Sequence, residues 1–395
     1  MVPNGWQIKR IEQIADVKGG KRIPKGYSLQ LEDNGFPYIR VKDMSENGVD
    51  TLSILYVPTE IVESISKYTI SANDVFITVA GALLGLVGKI PPALENANLT
   101  ENADKLTNLK INQDYLIAVL RSPIGKKLIE AEKTTNAQPK LALTRIRNFE
   151  IPVPPLPEQQ KIAKILSTWD KAISTTERLI DNSTEQKKAL MQQLLTGKKR
   201  LLDESGKRFE GEWEVAPLKD CVTFLNGMRK PIKQEDRADI QGQYPYFGAT
   251  GIIDYVNDYI FDDELILLGE DGENILSRAV PHVFMVSGKI WVNNHAHVMK
   301  ANKDKNSEFL CIYLESLDYK KFNSGSAQPK INKAVCEKIP VYFPSLNEQN
   351  KIAIVLTNAD KEIELLEQQL ADLQQEKKAL MQVLLTGKKR VVVDG

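Results

Sequence analysis

Residues Pro157-Glu158-Gln159-Gln160-Lys161-Ile162-Ala163 return as Asn347-Glu348-Gln349-Asn350-Lys351-Ile352-Ala353. Lys187-Lys188-Ala189-Leu190-Met191-Gln192 returns as Lys377-Lys378-Ala379-Leu380-Met381-Gln382. Both pairs are offset by 190 (348 − 158 and 377 − 187). That period is too long for a solenoid repeat and has the size of a domain plus a connector. The chain must therefore fold as two similar halves, and its 395 residues are enough to bury two cores.

The repeated block has the spacing of a coiled-coil helix. Steps of four and three residues link Ile162, Leu166, Trp169, Ile173, Thr176, Ile180, Ser183, Lys187, Leu190 and Leu194. The same steps link Ile352, Leu356, Ala359, Ile363, Leu366, Leu370, Leu373, Lys377, Leu380 and Leu384. A seam held for more than four heptads calls for one long partner, whereas a helix lying on a globular core seldom keeps so strict a spacing. We expect the two copies to pair through Ile162, Leu166, Trp169, Ile173, Ile180, Leu190 and Leu194 against Ile352, Leu356, Ile363, Leu366, Leu370, Leu380 and Leu384. Prolines Pro154, Pro155, Pro157 and Pro344, with Glu158 and Glu348, suit the helix starts. Gly197 and Gly387, each followed by Lys-Lys-Arg, suit the ends.

Connectivity sets the orientation. The first helix delivers the chain to the second half, so the second helix can pair over its full length only by running back, antiparallel. Trp6 and Trp213 open similar segments in the two halves. The order is unit, helix, unit, helix, closed by a pseudo-twofold axis. Within the units, residues 74–79 and 264–268 read as buried strands, and Tyr115–Glu132 and Glu308–Phe322 as short helices. Each helix leads to an Ala-Gln-Pro-Lys loop, ending at Lys140 and Lys330. The expected fold class is α+β: two mixed α/β modules separated by two long antiparallel helices.

Several chemistries are disfavoured. The glycine spacing of Gly81–Ile90 does not fit a phosphate loop, and Gly269–Asn274 lacks calcium-ligand spacing. His295 and His297 lie near no cysteine cluster, so we read them as polar turn residues rather than metal ligands. No motif for a catalytic nucleophile, a zinc hydrolase or amino methylation is present, and no cofactor is expected. Cys221, Cys311 and Cys336 have no paired spacing and read as buried thiols in a reducing compartment. No apolar run approaches membrane-spanning length and the first residues carry no leader pattern, so a soluble, cytoplasmic protein is expected.

Lys+Arg and Asp+Glu both total 52, so any nucleic-acid face must be local. Basic residues do cluster in glycine turns at matching places in the two halves. Lys21, Arg22 and Lys25 sit among Gly19, Gly20 and Gly26, followed by Tyr38, Arg40 and Lys42. Arg229, Lys230 and Lys233 follow Gly227, and Tyr246 comes next. Glycine turns let a backbone approach phosphates while Arg and Lys neutralise them. With Lys140 and Lys330, these residues are the candidate DNA contacts.

The repeated P-x-x-E-Q-x-x-I-x-x-x-L-x-x-x-D pattern (Pro155 through Asp170, with Ser345 for the proline in the second copy), the Ala-Gln-Pro-Lys loops and the Leu-Leu-Thr-Gly-Lys-Lys-Arg tails resemble the specificity subunit of type I restriction–modification systems. The resemblance covers nearly the whole chain. It implies target recognition domains at 1–154 and 201–344, helical spacers at 155–200 and 345–390, and a tail at 391–395. It further implies a non-catalytic subunit whose two domains each read half of a bipartite, asymmetric site on double-stranded DNA. The helix pair would set the spacing and dock two methyltransferase subunits, with restriction subunits joining outside and no membrane partner. Two other classes compete. A coiled-coil tether carrying two protein-binding domains would show no preference among DNA sequences, and a segment of a single-chain methyltransferase would transfer methyl groups by itself.

Overall fold

A computed structural model describes residues 2–134, 139–325 and 328–393, so Ala137, Gln138 and Ala327 of the two expected loops lie outside it. The chain divides into two compact units, Met1–Glu177 with Gln368–Gly395, and Arg178–Glu367. Each unit holds one globular module and half of each long helix, Leu156–Leu194 and Leu346–Leu384.

The module of the first unit has two four-stranded sheets. One contains strands Asp16–Gly19, Ala103–Thr107, Val75–Thr78 and Val87–Gly88 in that spatial order; the other contains Leu55–Tyr56, Pro37–Ile39, Ala97–Leu99 and Thr69–Ile70. The second unit repeats both. Val222–Phe224, Ala296–Ala301, Leu265–Gly269 and Val283–Val286 form one sheet, and Gly251–Val256, Gln241–Gly248, Lys289–Val292 and Phe261–Asp262 the other. A two-stranded antiparallel sheet closes each module, Gln7–Arg10 with Glu150–Val153 and Glu214–Pro217 with Pro340–Phe343.

The continuous apolar runs become central strands because both of their faces are covered. Val75 and Ile77 enter one core while Phe76 enters another. In the second unit Ile266 and Leu268 part from Leu265 and Leu267 in the same way. The first core of each unit also takes in the long helices: Ile162, Leu166 and Leu384 in one, Leu194, Ile352 and Leu356 in the other. Burying each such leucine or isoleucine contributes about 1.5–3 kcal/mol. All twenty positions of the two heptad series are buried or half-buried, Ile173, Ile180, Leu190, Ile363, Leu366, Leu370 and Leu380 being half-buried.

The long helices run antiparallel within each unit. Asp170 meets Lys377 and Glu158 meets Arg390 in the first unit. Asp360 meets Lys187 and Glu348 meets Arg200 in the second. The Glu-Gln of the repeated motif also fastens each helix to its module. Gln159 Oε1 accepts the Asn112 amide at 2.8 Å and its Nε2 donates to the Pro154 carbonyl at 2.8 Å. Gln349 does the same with the Asn306 amide, 3.0 Å, and the Pro344 carbonyl, 2.9 Å. Glu158 accepts from Arg390 Nε at 2.7 Å and Trp6 Nε1 at 3.2 Å. Glu348 accepts two hydrogen bonds from Arg200, 2.7 and 2.6 Å.

Three expectations change. The expected helix Tyr115–Glu132 is two helices, Gln113–Arg121 and Pro123–Glu132. Pro123 has no amide to continue the first, and Ser122 before it adopts extended dihedrals and caps the Ile124 amide. The expected helix Glu308–Phe322 is Ser307–Glu315 followed by a separate turn, Tyr319–Phe322, which the Asp318 side chain starts by accepting the Lys320 amide. His297 is no turn residue: it lies in strand Ala296–Ala301 and is fully buried.

Candidate nucleic-acid interface

The twelve expected DNA contacts divide by exposure. Lys21, Lys25, Lys42, Lys140, Lys230, Lys233 and Lys330 are exposed, as is Arg22. The Lys21 ammonium lies 5.6 Å from the centre of the Tyr68 ring. Lys25 sits beside Gly26, whose φ of +96° makes the turn. Lys42 lies in the single turn Val41–Asp43, and Lys233 immediately precedes the short helix Gln234–Ala238.

Four of the twelve turn inward. Tyr38 and Tyr246 are 4% and 1% exposed, so neither ring can meet a duplex. They occupy matching registers, opposite Asn98 and Trp291 in parallel strand pairs. Each braces the basic turn from beneath: the Tyr38 hydroxyl donates to the Lys21 carbonyl at 2.8 Å, and the Tyr246 hydroxyl accepts the Ile232 amide at 2.9 Å. Burial pushes the Tyr38 phenol up to about 12. Arg40 is clamped on buried Asp43, at 2.8 and 2.6 Å, and donates to the Ser53 carbonyl. Arg229 bonds Glu270 at 2.8 Å, together with the carbonyls of Asn226, Asn294 and Ala296. Desolvation opposes such inward placement, and the carboxylate that each guanidinium finds offsets it.

The first unit places several basic groups around one cleft of about 890 Å³, lined by Arg22, Asn102, Lys133, Pro139 and Lys140. Arg22 Nε reaches Glu101 at 2.5 Å. Lys140 pairs its backbone with Ala80, and Lys330 pairs with Asp271 in the same way in the second unit. Further main-chain bonds fix the correspondence. The Val79 amide donates to Asn102 and the Glu270 amide to His295, while Leu141 donates to Val79 and Ile331 to Glu270. Val79 and Glu270 therefore hold the same place, and so do Asn102 and His295.

The two faces differ in charge at that place. Where the first unit has Val79, the second has Glu270, which takes Arg229 at 2.8 Å, Lys330 at 3.2 Å and His297 at 3.7 Å. Burial alone would push the Glu270 carboxyl up, but the Arg229 hydrogen bond and the neighbouring positive groups hold it below its ordinary value. His297 is pushed down, chiefly by burial. It stands at the register of Asp104, since Thr78 pairs with Ala103 and Gly269 with Ala296. Burial pushes the Asp104 carboxyl up to about 6, and its Oδ2 has no hydrogen-bond partner.

These two modules, which share their two four-stranded sheets and the closing two-stranded sheet, lie within two matches to a family described as the type I restriction modification DNA specificity domain, at residues 3–183 and 210–375. The chain belongs to the type I restriction–modification specificity family. A putative type I restriction enzyme MjaX specificity subunit from Methanocaldococcus jannaschii is 27% identical over 99% of this chain and 95% of the relative. The S subunit of a type I system from M. genitalium shares the fold, with a TM-score of 0.64 at 17% identity over 98% of each chain. A structure concerned with complex assembly and conformational transition of the type I system matches with a TM-score of 0.56 at 14% identity, over 98% of this chain and all of that one. As a specificity subunit the chain carries two target recognition domains. No helix among the described residues is long and apolar enough to cross a membrane.

Sequence reasoning missed Lys133, Asn102, Glu270, Asn294, His295 and Asp271 at these faces. None stands in a basic run. All but Lys133, which ends the helix Pro123–Glu132, lie at strand ends that the two units share, a signal that shows only once the strands are aligned.

Proposed function

We propose that this chain is the non-catalytic, sequence-reading subunit of a type I complex, each recognition domain reading one half of an asymmetric, bipartite site on double-stranded DNA. Residues 1–154 and 201–344 are the reading domains, 155–200 and 345–390 the helical spacers that fix the distance between half-sites, and 391–395 a tail. The spacers dock two methyltransferase subunits, with restriction subunits joining through the complex, in the cytoplasm. The observation that carries this reading is one scaffold built twice with different side chains at the same strand ends. Identical mounts suit two equivalent grooves, and different side chains suit different base pairs, each of which shows its own donor and acceptor pattern. Of the expected contacts, Lys21, Arg22, Lys25, Lys42, Lys140, Lys230, Lys233 and Lys330 are the exposed cations available to phosphates.

The experiment inserts one heptad into each helix and maps methylated bases in DNA from cells carrying the whole system. The expected result is a longer spacer between two unchanged half-sites. An unchanged spacer, or altered half-sites, would refute the division of labour.

A further inference from the structure

The turn joining the two sheets of each module is held in the same way and dressed differently. It is Thr100-Glu101-Asn102 in the first unit and Asn293-Asn294-His295 in the second. In both, a side-chain oxygen of the first residue accepts the amide of the third, Thr100 Oγ1 from Asn102 at 3.4 Å and Asn293 Oδ1 from His295 at 2.8 Å. In both, the carbonyl of the third accepts at 2.8 Å the amide of the residue that follows the central strand, Val79 in one and Glu270 in the other. The main chain is thus pinned at both ends.

The second and third side chains remain within reach of solvent: Asn294 and His295 are exposed, and Glu101 and Asn102 are half-buried at the rim. Asn102 lines the cleft that also contains Arg22, Lys133 and Lys140. Neighbouring groups orient these side chains. Arg22 holds Glu101 at 2.5 Å, and Asp271 bonds His295 Nδ1 at 2.9 and 3.0 Å. A carboxylate only accepts, so Nδ1 carries the hydrogen of this bond and Nε2 is left facing outward.

The geometry points to Glu101 and Asn102 in the first unit, and Asn294 and His295 in the second, as the side chains that discriminate bases; this rests on the reading that the chain recognises DNA through these faces. Asn offers the paired donor and acceptor that match adenine, Glu offers an acceptor for the amino group of cytosine, and the His295 ring adds a polar edge beside Asn294. Lys140 and Lys330, at matching backbone positions beside the turns, supply phosphate contacts that carry no sequence information. A phosphate-binding element has no need to differ between units, whereas a base-reading element for an asymmetric site must.

The test assembles the full chain with its methyltransferase subunits and sequences the methylated fraction of a randomised DNA library. Asn102→Ala should reduce the preference at one or two base pairs of one half-site by about 10-fold and leave the other half unchanged. Asn294→Ala with His295→Ala should do the converse, His295→Gln should shift the preferred base, and Lys140→Ala should weaken all sequences alike. Unaltered preferences in variants that melt at the temperature of the unaltered chain would overturn the assignment. So would a uniform loss across all sequences, which would make these groups phosphate contacts. If the unaltered complex showed no sequence preference, the DNA-reading function itself would fall, independently of the variants.

Discussion

Replacing Arg200 by Met tests how each long helix is locked to its unit. Glu348 is fully buried and Arg200 satisfies it with two hydrogen bonds, 2.7 and 2.6 Å, while donating to the carbonyls of Gly211 and Glu210. Removing the guanidinium strands a buried carboxylate, which costs about 3–5 kcal/mol. Against a whole-domain stability of about 5–15 kcal/mol that is a large share. In urea, with a slope near 2.5 kcal/mol/M, a loss of about 4 kcal/mol lowers the midpoint by about 1.6 M. Unfolding is followed by the fluorescence of Trp213 and Trp291 and by helical circular dichroism. The double variant Arg200→Met/Glu348→Leu should recover much of the loss, because an apolar pair strands no charge. Arg390→Met in the first unit should cost less, since Arg390 is 44% exposed and Glu158 keeps its bond from Trp6. A loss below about 1 kcal/mol for Arg200→Met, the value of an exposed pair, would refute the argument.

Two buried groups give opposite responses to mild acid. Burial, with the Arg278 charge, pushes His282 down to about 4, so between its ordinary 6.5 and 4 the unfolded chain binds more protons and stability falls as pH drops, by up to about 1.4 kcal/mol per pH unit. His282→Phe should flatten that limb in urea melts at pH 7 and pH 4.5; an unchanged slope would exclude His282 as its cause. Asp104 has the reverse sign: held near 6 against an ordinary 3.8, it binds its proton more readily when folded, and stability is lost as pH rises through that window. Asp104→Asn should therefore raise the melting temperature at pH 7 and leave it nearly unchanged at pH 3.5, and equal shifts at both would refute this.

The long helices were legible because their evidence is local: a repeat of 3.5 residues from Ile162 to Leu194, prolines before it and Gly197 after it, whose φ is +68°. Exposure was not. Tyr38 and Tyr246 look like recognition residues in basic turns, and nothing nearby in sequence says that a neighbouring strand buries both rings. His297 was misread because burial of a histidine depends on Glu270 and the Ile331 carbonyl, both more than 25 residues away. The matching strand ends were hidden by loop lengths. The offset between halves is 190 from Lys140 to Lys330, but 191 from Val79 to Glu270, 193 from Leu99 to Val292 and 209 from Lys21 to Lys230, whose amides donate to the Leu99 and Val292 carbonyls. Residues in equivalent places therefore do not line up at one spacing.

The paired glutamines carry a consequence for how such a molecule can change. Gln159 and Gln349 grip their modules by one amide and one carbonyl, those of Asn112 and Pro154 and of Asn306 and Pro344. Every amino acid has a carbonyl and all but proline have an amide, so this joint asks almost nothing of the side chains it holds. A gene encoding this socket can accept a diverged insert whose surface has been rewritten, provided that the newcomer brings its main chain to the same two points.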